Sequence, residues 1–207
     1  MASEKDLRFE CERCGKCCSD EKTIVNLTYN DILRIKEALG LNLDEINHIL
    51  AFYVFEEEPT EEDKKKMVIS PIETEQGLAF VGLRKRPDGT CYFYDQKKKK
   101  CLIYNARPNF CRTFPFSFEV EDNENDQERK GSPVKMKYTE KGRQYCPGIR
   151  EDNPLINKKK WLELGKKTIE DLNKNYFIFK EWNEKVKNGE VEASAKNFLK
   201  MILKLKE

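Results

Sequence analysis

Four cysteines stand within eight positions in "FECERCGKCC" (Phe9 to Cys18): Cys11, Cys14, Cys17 and Cys18. Such a run offers thiolates, as soft metal ligands, redox partners or nucleophiles. A C-x2-C step lets one tight loop bring two sulfurs to a single centre, with backbone amides free to donate to them. Two consecutive steps, Cys11-x2-Cys14-x2-Cys17, match the three-ligand run of cuboidal iron–sulfur sites. Those runs take a remote fourth cysteine, often followed by proline, and Cys146-Pro147 has that form. Zinc also accepts four thiolates, but its commoner signature is two C-x2-C pairs distant in sequence. Here Cys91, Cys101, Cys111 and Cys146 are single and well separated. The spacing therefore favours an iron–sulfur cluster, of the [4Fe-4S] type, over zinc, at the first run with Cys146.

Eight thiols would complete two four-ligand sites. The vicinal pair Cys17-Cys18 needs its own account. Adjacent side chains diverge, so one of the two is expected to serve a different centre or to remain an unligated thiol. The plainer alternative is a set of disulfides with some buried cysteines, because free Cys packs as a small hydrophobe.

Arg107 and Arg112 flank Cys111, where cationic donors can offset thiolate charge or bind an anion; structural arginines are an equal reading. The run Lys97 to Lys100 is expected to be a solvated turn. His48, the one histidine, sits mid-helix away from every cysteine and is read as non-ligating. That argues against Cys2His2 zinc fingers and a Cys/His/Asp catalytic set.

The elements that must position these residues belong to a chain of 207 residues with 39 Lys plus Arg against 37 Asp plus Glu, a net charge of +2. So small an excess argues against nucleic acid as the main ligand, since phosphate-tracking proteins carry a clear basic surplus. Interleaved Lys and Glu resemble the ion-pair surface of heat-adapted proteins, and the chain is expected to be thermostable. The charged opening "MASEKDLRFE" lacks the apolar core of a secretory signal, and no apolar run is long enough to span a bilayer. A cytoplasmic location without membrane association follows as the expectation. In a reducing compartment eight cysteines point to metal or redox chemistry before disulfides.

Thr23 to Leu27 reads as a strand. "TYNDILRIKEALG" reads as a helix capped by Thr28, with Asp31 in the capping-box position and Gly40 as the stop. A second helix is expected from Asp44 to Phe52, and a solvated loop from Glu56 to Lys66. "MVIS" and "LAFVGLR" read as strands, and the turn "RPDG" joins the latter to a strand "CYFYD". "CLIY" follows as a strand, "NARPNFC" as a turn or single helical turn, and "RTFPFSFEVE" as a strand. Asp122 to Ser132 reads as a polar loop, and "VKMKYTE" as a last strand. From about Pro154 the pattern turns helical, with Trp161, Leu164, Thr168, Leu172, Tyr176 and Phe179 along one face and a second helix over Val191 to Leu205. The fold class is α+β: a small cysteine-rich core of short strands and helices over 1–150, with a C-terminal helical appendage over 151–207 packed on or next to it.

"FECERCGKCC", "VNLTYNDILRIKEALGL", "CYFYDQKKKKCLIYNARPNFCRTFPF" and "CPG" together resemble the CxxCxxCC cysteine-cluster family, whose YkgJ-type members are described as zinc- or iron-chelating. The match spans about Phe9 to Gly148. The resemblance implies a metal-ligand role for all eight cysteines and implies no particular reaction. Flagellin lysine N-methylases share a related pattern and look like an S-adenosylmethionine-dependent iron–sulfur branch. Three functions follow as expectations. The first is a metalloprotein acting in redox, metal handling or protein maturation, with a protein partner. The second is a lysine methyltransferase-like enzyme, against which stands the absence of any G-x-G loop or C-x3-C-x2-C run. The third is a structural zinc or disulfide scaffold, which gives no reason for a vicinal cysteine pair.

Overall fold

The computed structural model describes residues 6–120 and 134–205; the polar stretch Asp122 to Ser132 lies outside them. Helix α1 (Tyr29–Leu39) starts and stops where its punctuation directs. The Thr28 hydroxyl accepts from Asp31 N at 3.2 Å, and the Asp31 carboxylate accepts from Thr28 N at 3.1 Å. Gly40 ends the helix in the left-handed region, φ 65°. Helix α2 (Leu43–Ile49) has a capping box of its own, from Asn42 and Glu45, and is shorter than expected. Leu50–Val54 is strand β1, not helix. Its aromatic and β-branched residues suit a pleated surface, and Tyr53 donates its hydroxyl to Leu83 O at 2.7 Å across the sheet.

Strand β1 pairs antiparallel with β3 (Gly77–Leu83), whose other edge takes β2 (Ile72–Thr74). The expected strand over "MVIS" thus lies a few residues later. It is fixed there by Asn183, which accepts from Glu73 N at 2.9 Å and donates to Pro71 O at 3.0 Å. Thr23 to Leu27 contributes one bridge, Asn26 opposite Gly82. The loop expected from Glu56 contains a short helix, α3 (Glu61–Lys66), opened by a Thr60–Asp63 capping box. "CYFYD" and "CLIY" pair only as β4 (Tyr94–Asp95) and β5 (Lys100–Cys101). After α4 (Asn109–Thr113) comes the hairpin of β6 (Phe116–Val120) and β7 (Val134–Tyr138), then α5 (Glu140–Tyr145).

Helices α6 (Lys158–Lys187) and α7 (Ala195–Lys204) share a core with the elements before them. Phe179, Trp182, Phe198 and Ile202 are in one buried cluster with Leu27, Ile32, Leu50 and Val81. Each such side chain contributes roughly 1.5–3 kcal/mol on burial. The expected face of α6 holds at Thr168 and Phe179, both buried, but fails at Tyr176, which is 51% exposed while its neighbour Asn175 is buried. The amide enters the interior because it has a partner: Asn175 Oδ1 accepts from Tyr29 N at 2.7 Å. A smaller cluster of Leu7, Phe116, Met136 and Tyr138, flanked by Phe9 and Trp161, joins the N-terminal segment to the β6–β7 hairpin. Among the described residues no helix is long and apolar enough to cross a membrane.

Candidate metal centre

All eight cysteines line one cavity of about 920 Å³, and none is in a disulfide. Four segments of chain bring them there. Among the described residues no three His, Cys, Asp or Glu side chains are gathered as for a single ion. The sulfurs ring the cavity rather than meeting at a point.

The first segment is hung from the second half of the chain. Phe9 N donates to Pro154 O at 3.2 Å and Glu10 N to Gly148 O at 3.1 Å. Arg150 pairs with Glu12 at 3.1 Å. Between the cysteines the backbone enters the left-handed region twice, at Arg13 (φ 54°) and Gly15 (φ 77°). Gly15 suits this left-handed position, and a Cβ there would have to displace the Tyr94 ring, whose hydroxyl lies where it would go. A 3-10 turn over Lys16–Cys18 then sets the Cys17 and Cys18 sulfurs 4.0 Å apart. The vicinal side chains therefore do not splay apart as adjacent residues were expected to.

Cys91 is fixed by its backbone: Cys91 N donates to Cys18 O at 2.8 Å. Arg86 holds the loop that follows. Its guanidinium donates to the carbonyls of Cys91 (3.0 Å), Tyr92 (2.7 Å) and Tyr94 (2.8 Å). The β4–β5 pairing sets Tyr94 opposite Cys101. Cys111 rides on α4, whose start is locked by buried polar groups: Asn109 N donates to Asp31 Oδ1 at 3.0 Å, and Asn109 Nδ2 to Asp171 Oδ2 at 2.8 Å. Arg34 donates to the Arg107 carbonyl at 2.9 Å and pairs with Asp31.

Cys146 closes α5 and is tied to the vicinal pair through Asp20. The Asp20 carboxylate accepts from Thr23, from Lys141 at 3.2 Å and from Tyr145 at 3.4 Å. The Thr23 hydroxyl, with Lys141 adding, pulls this carboxyl down to about 2.

At Cys91, Cys101 and Cys146 the backbone amides of Phe93, Ile103 and Gly148, each two residues on, favour the thiolate. Burial pushes these three thiols and Cys111 up, which favours their protonated forms. Cys17 is the exception. The hydrogen bond from Cys18 pulls it down to about 7, with backbone amides and Arg107 adding and burial opposing. That same bond, with burial, pushes Cys18 up. Arg107 and Arg112 both line the cavity, and Arg107 also draws the Cys101 thiol down against its burial. Charge offset is thus a role Arg107 fills. His48 is exposed on α2, outside the cavity lining.

Arg86, Asp20, Asn109 and Asp171 were not singled out by the sequence. Nothing in their pattern distinguishes them from surface residues; their importance lies in contacts across 60 or more positions for Asp171 (62) and over 100 for Asp20 (121).

Residues 10–147 match the model of the family described as "CxxCxxCC: Putative zinc- or iron-chelating domain". The chain is 28% identical over 117 residues to "Uncharacterized protein MJ0661" of Methanocaldococcus jannaschii, a stretch covering 56% of this chain and 49% of that protein. The chain thus spans about half the length of that relative. No solved structure matches. With the family's pattern running from Glu10 to Pro147, across every cysteine that lines the cavity, the chain belongs to the CxxCxxCC family of metal-chelating domains.

Proposed function

We propose that the eight cysteines hold iron–sulfur chemistry and that the protein works in redox, metal handling or the maturation of other proteins. The observation that carries this reading is the convergence of all eight on one cavity of about 920 Å³, far more space than a single ion needs. Three further features support it. The C-x2-C-x2-C loop and the remote Cys146-Pro147 face the same space. The backbone amides that favour the thiolate at Cys91, Cys101 and Cys146 are the kind of neighbour that tunes a cluster's potential. Arg13 and Arg107 bring positive charge to the wall, both over the Tyr104 ring at 4.8 and 3.7 Å. When bound, a cluster supplies one-electron transfer. The chain's own part is to fix the thiols, screen their charge and supply the apolar wall of Phe93, Phe110, Phe114 and Trp161.

A second reading, an S-adenosylmethionine-dependent protein-lysine N-methyltransferase, rests on that same Arg13–Tyr104–Arg107 stack, a cationic surface suited to a carboxylate. The test is iron and acid-labile sulfide analysis of protein purified without oxygen, with S-adenosylmethionine titrated by calorimetry. Iron with matching sulfide and no binding is expected. Zinc without sulfide contradicts the iron–sulfur assignment, and saturable binding favours the enzyme.

A further inference from the structure

The convergence of eight thiols leaves open how they divide, and the backbone answers. Cys146 and Cys11 sit on one wall. Glu10 N donates to Gly148 O at 3.1 Å, and a Cβ at Gly148 would run into Glu10 O. The two strands of chain that carry these cysteines are therefore in direct contact. Cys91 and Cys18 are joined in turn by the 2.8 Å bond from Cys91 N to Cys18 O. Cys101 is on the strand paired with Tyr94, three residues beyond Cys91, and Cys111 follows on the same run of chain through α4.

Exposure grades across the thiols: Cys11, Cys14 and Cys17 are exposed, Cys18, Cys101, Cys111 and Cys146 half-buried, and Cys91 buried.

We propose that the cavity holds two four-cysteine centres, an outer one on Cys11, Cys14, Cys17 and Cys146 and an inner one on Cys18, Cys91, Cys101 and Cys111, with the vicinal pair as the boundary between them. The proposal rests on the metal-ligand reading of the eight cysteines but not on the metal being iron. It gives the vicinal pair a function. Two residues that touch at 4.0 Å and belong to different centres hold those centres side by side, on a turn too short to let them separate. It also gives the two centres different access to solvent, so the outer one exchanges and the inner one persists.

The experiment uses the full-length wild-type protein with its metal. A chelator is added in steps, released cysteines are alkylated at each step, and the labelled positions are read by mass spectrometry alongside metal content. At half the metal, Cys11, Cys14, Cys17 and Cys146 are expected to be labelled together and the other four protected. Even labelling of all eight, loss of all metal in one step, or release of Cys18 together with Cys17 overturns the division. Cys146→Ser and Cys101→Ser give a second readout: each is expected to keep about half the metal, and the double variant none. Loss of all metal in either folded single variant, judged by circular dichroism, also overturns it. Zinc in place of iron would sink the iron–sulfur assignment and leave this division standing on the same labels. Wild-type protein that binds neither metal would end both.

Discussion

Asn109 Nδ2 donates to Asp171 Oδ2 at 2.8 Å, with both residues buried. One bond thus joins the short helix that carries Cys111 to the middle of α6, and the long C-terminal helix takes part in placing a cysteine. Asp171 also accepts from Asn30 at 3.1 Å. Asp171→Ala strands both amides, at about 1–3 kcal/mol for each that stays buried and unpaired. The expected result is a melting temperature lower by roughly 5–10 °C and reduced metal per chain. Asp171→Asn, which keeps an acceptor, should lose less of both.

Gly15 and Gly40 are both in the left-handed region, at φ 77° and 65°, but only Gly15 has a neighbour where a Cβ would go. Gly40→Ala should cost about 1–2 kcal/mol from the backbone alone and leave metal content unchanged. Gly15→Ala must also displace Tyr94 from the cysteine loop, and loss of metal from the folded protein is expected. Metal analysis beside thermal melts of the two variants separates the effects.

Arg86 donates to three carbonyls of the loop that begins at Cys91. Hydrogen bonds to a charged group are worth roughly 1.5–3 kcal/mol each, so Arg86→Ala should release this loop. Metal content is expected to fall by about half. Arg86→Lys should not restore it, because one ammonium cannot span carbonyls that the planar guanidinium reaches together.

Asp20 ties the segment after Cys18 to Lys141 and Tyr145, just ahead of Cys146. Its carboxylate is near the surface, so Asp20→Ala should lower stability by only about 1 kcal/mol. The rate at which a chelator strips metal should nevertheless rise severalfold, since Cys17 and Cys146 lose their common brace. Stopped-flow chelation at constant temperature measures this directly.

The sequence made the family and the caps of α1 legible, because cysteine spacing and capping are local properties. The α+β class and the C-terminal helices were legible too. What failed depended on distant partners. Residues 50–52 continue a helical pattern until the β3 edge claims them, and "MVIS" is strand-like but lies outside the edge that Asn183 secures. Asn109, Asp171 and Asn175 have the residue types of a solvated surface, and are buried with partners supplied by the fold: Asn109 and Asp171 with each other, Asn175 with Tyr29 N. Cys17 and Cys18 were expected to diverge as adjacent side chains do, whereas a 3-10 turn brings their sulfurs to 4.0 Å.

The most direct measurement is the native mass of the protein purified and sprayed without oxygen. The chain alone is 24.4 kDa. Two increments of iron with sulfide, both lost on acidification, are the expected result. A mass equal to the bare chain, or one lowered by the hydrogens lost in disulfides, would contradict the claim that these eight cysteines hold metal.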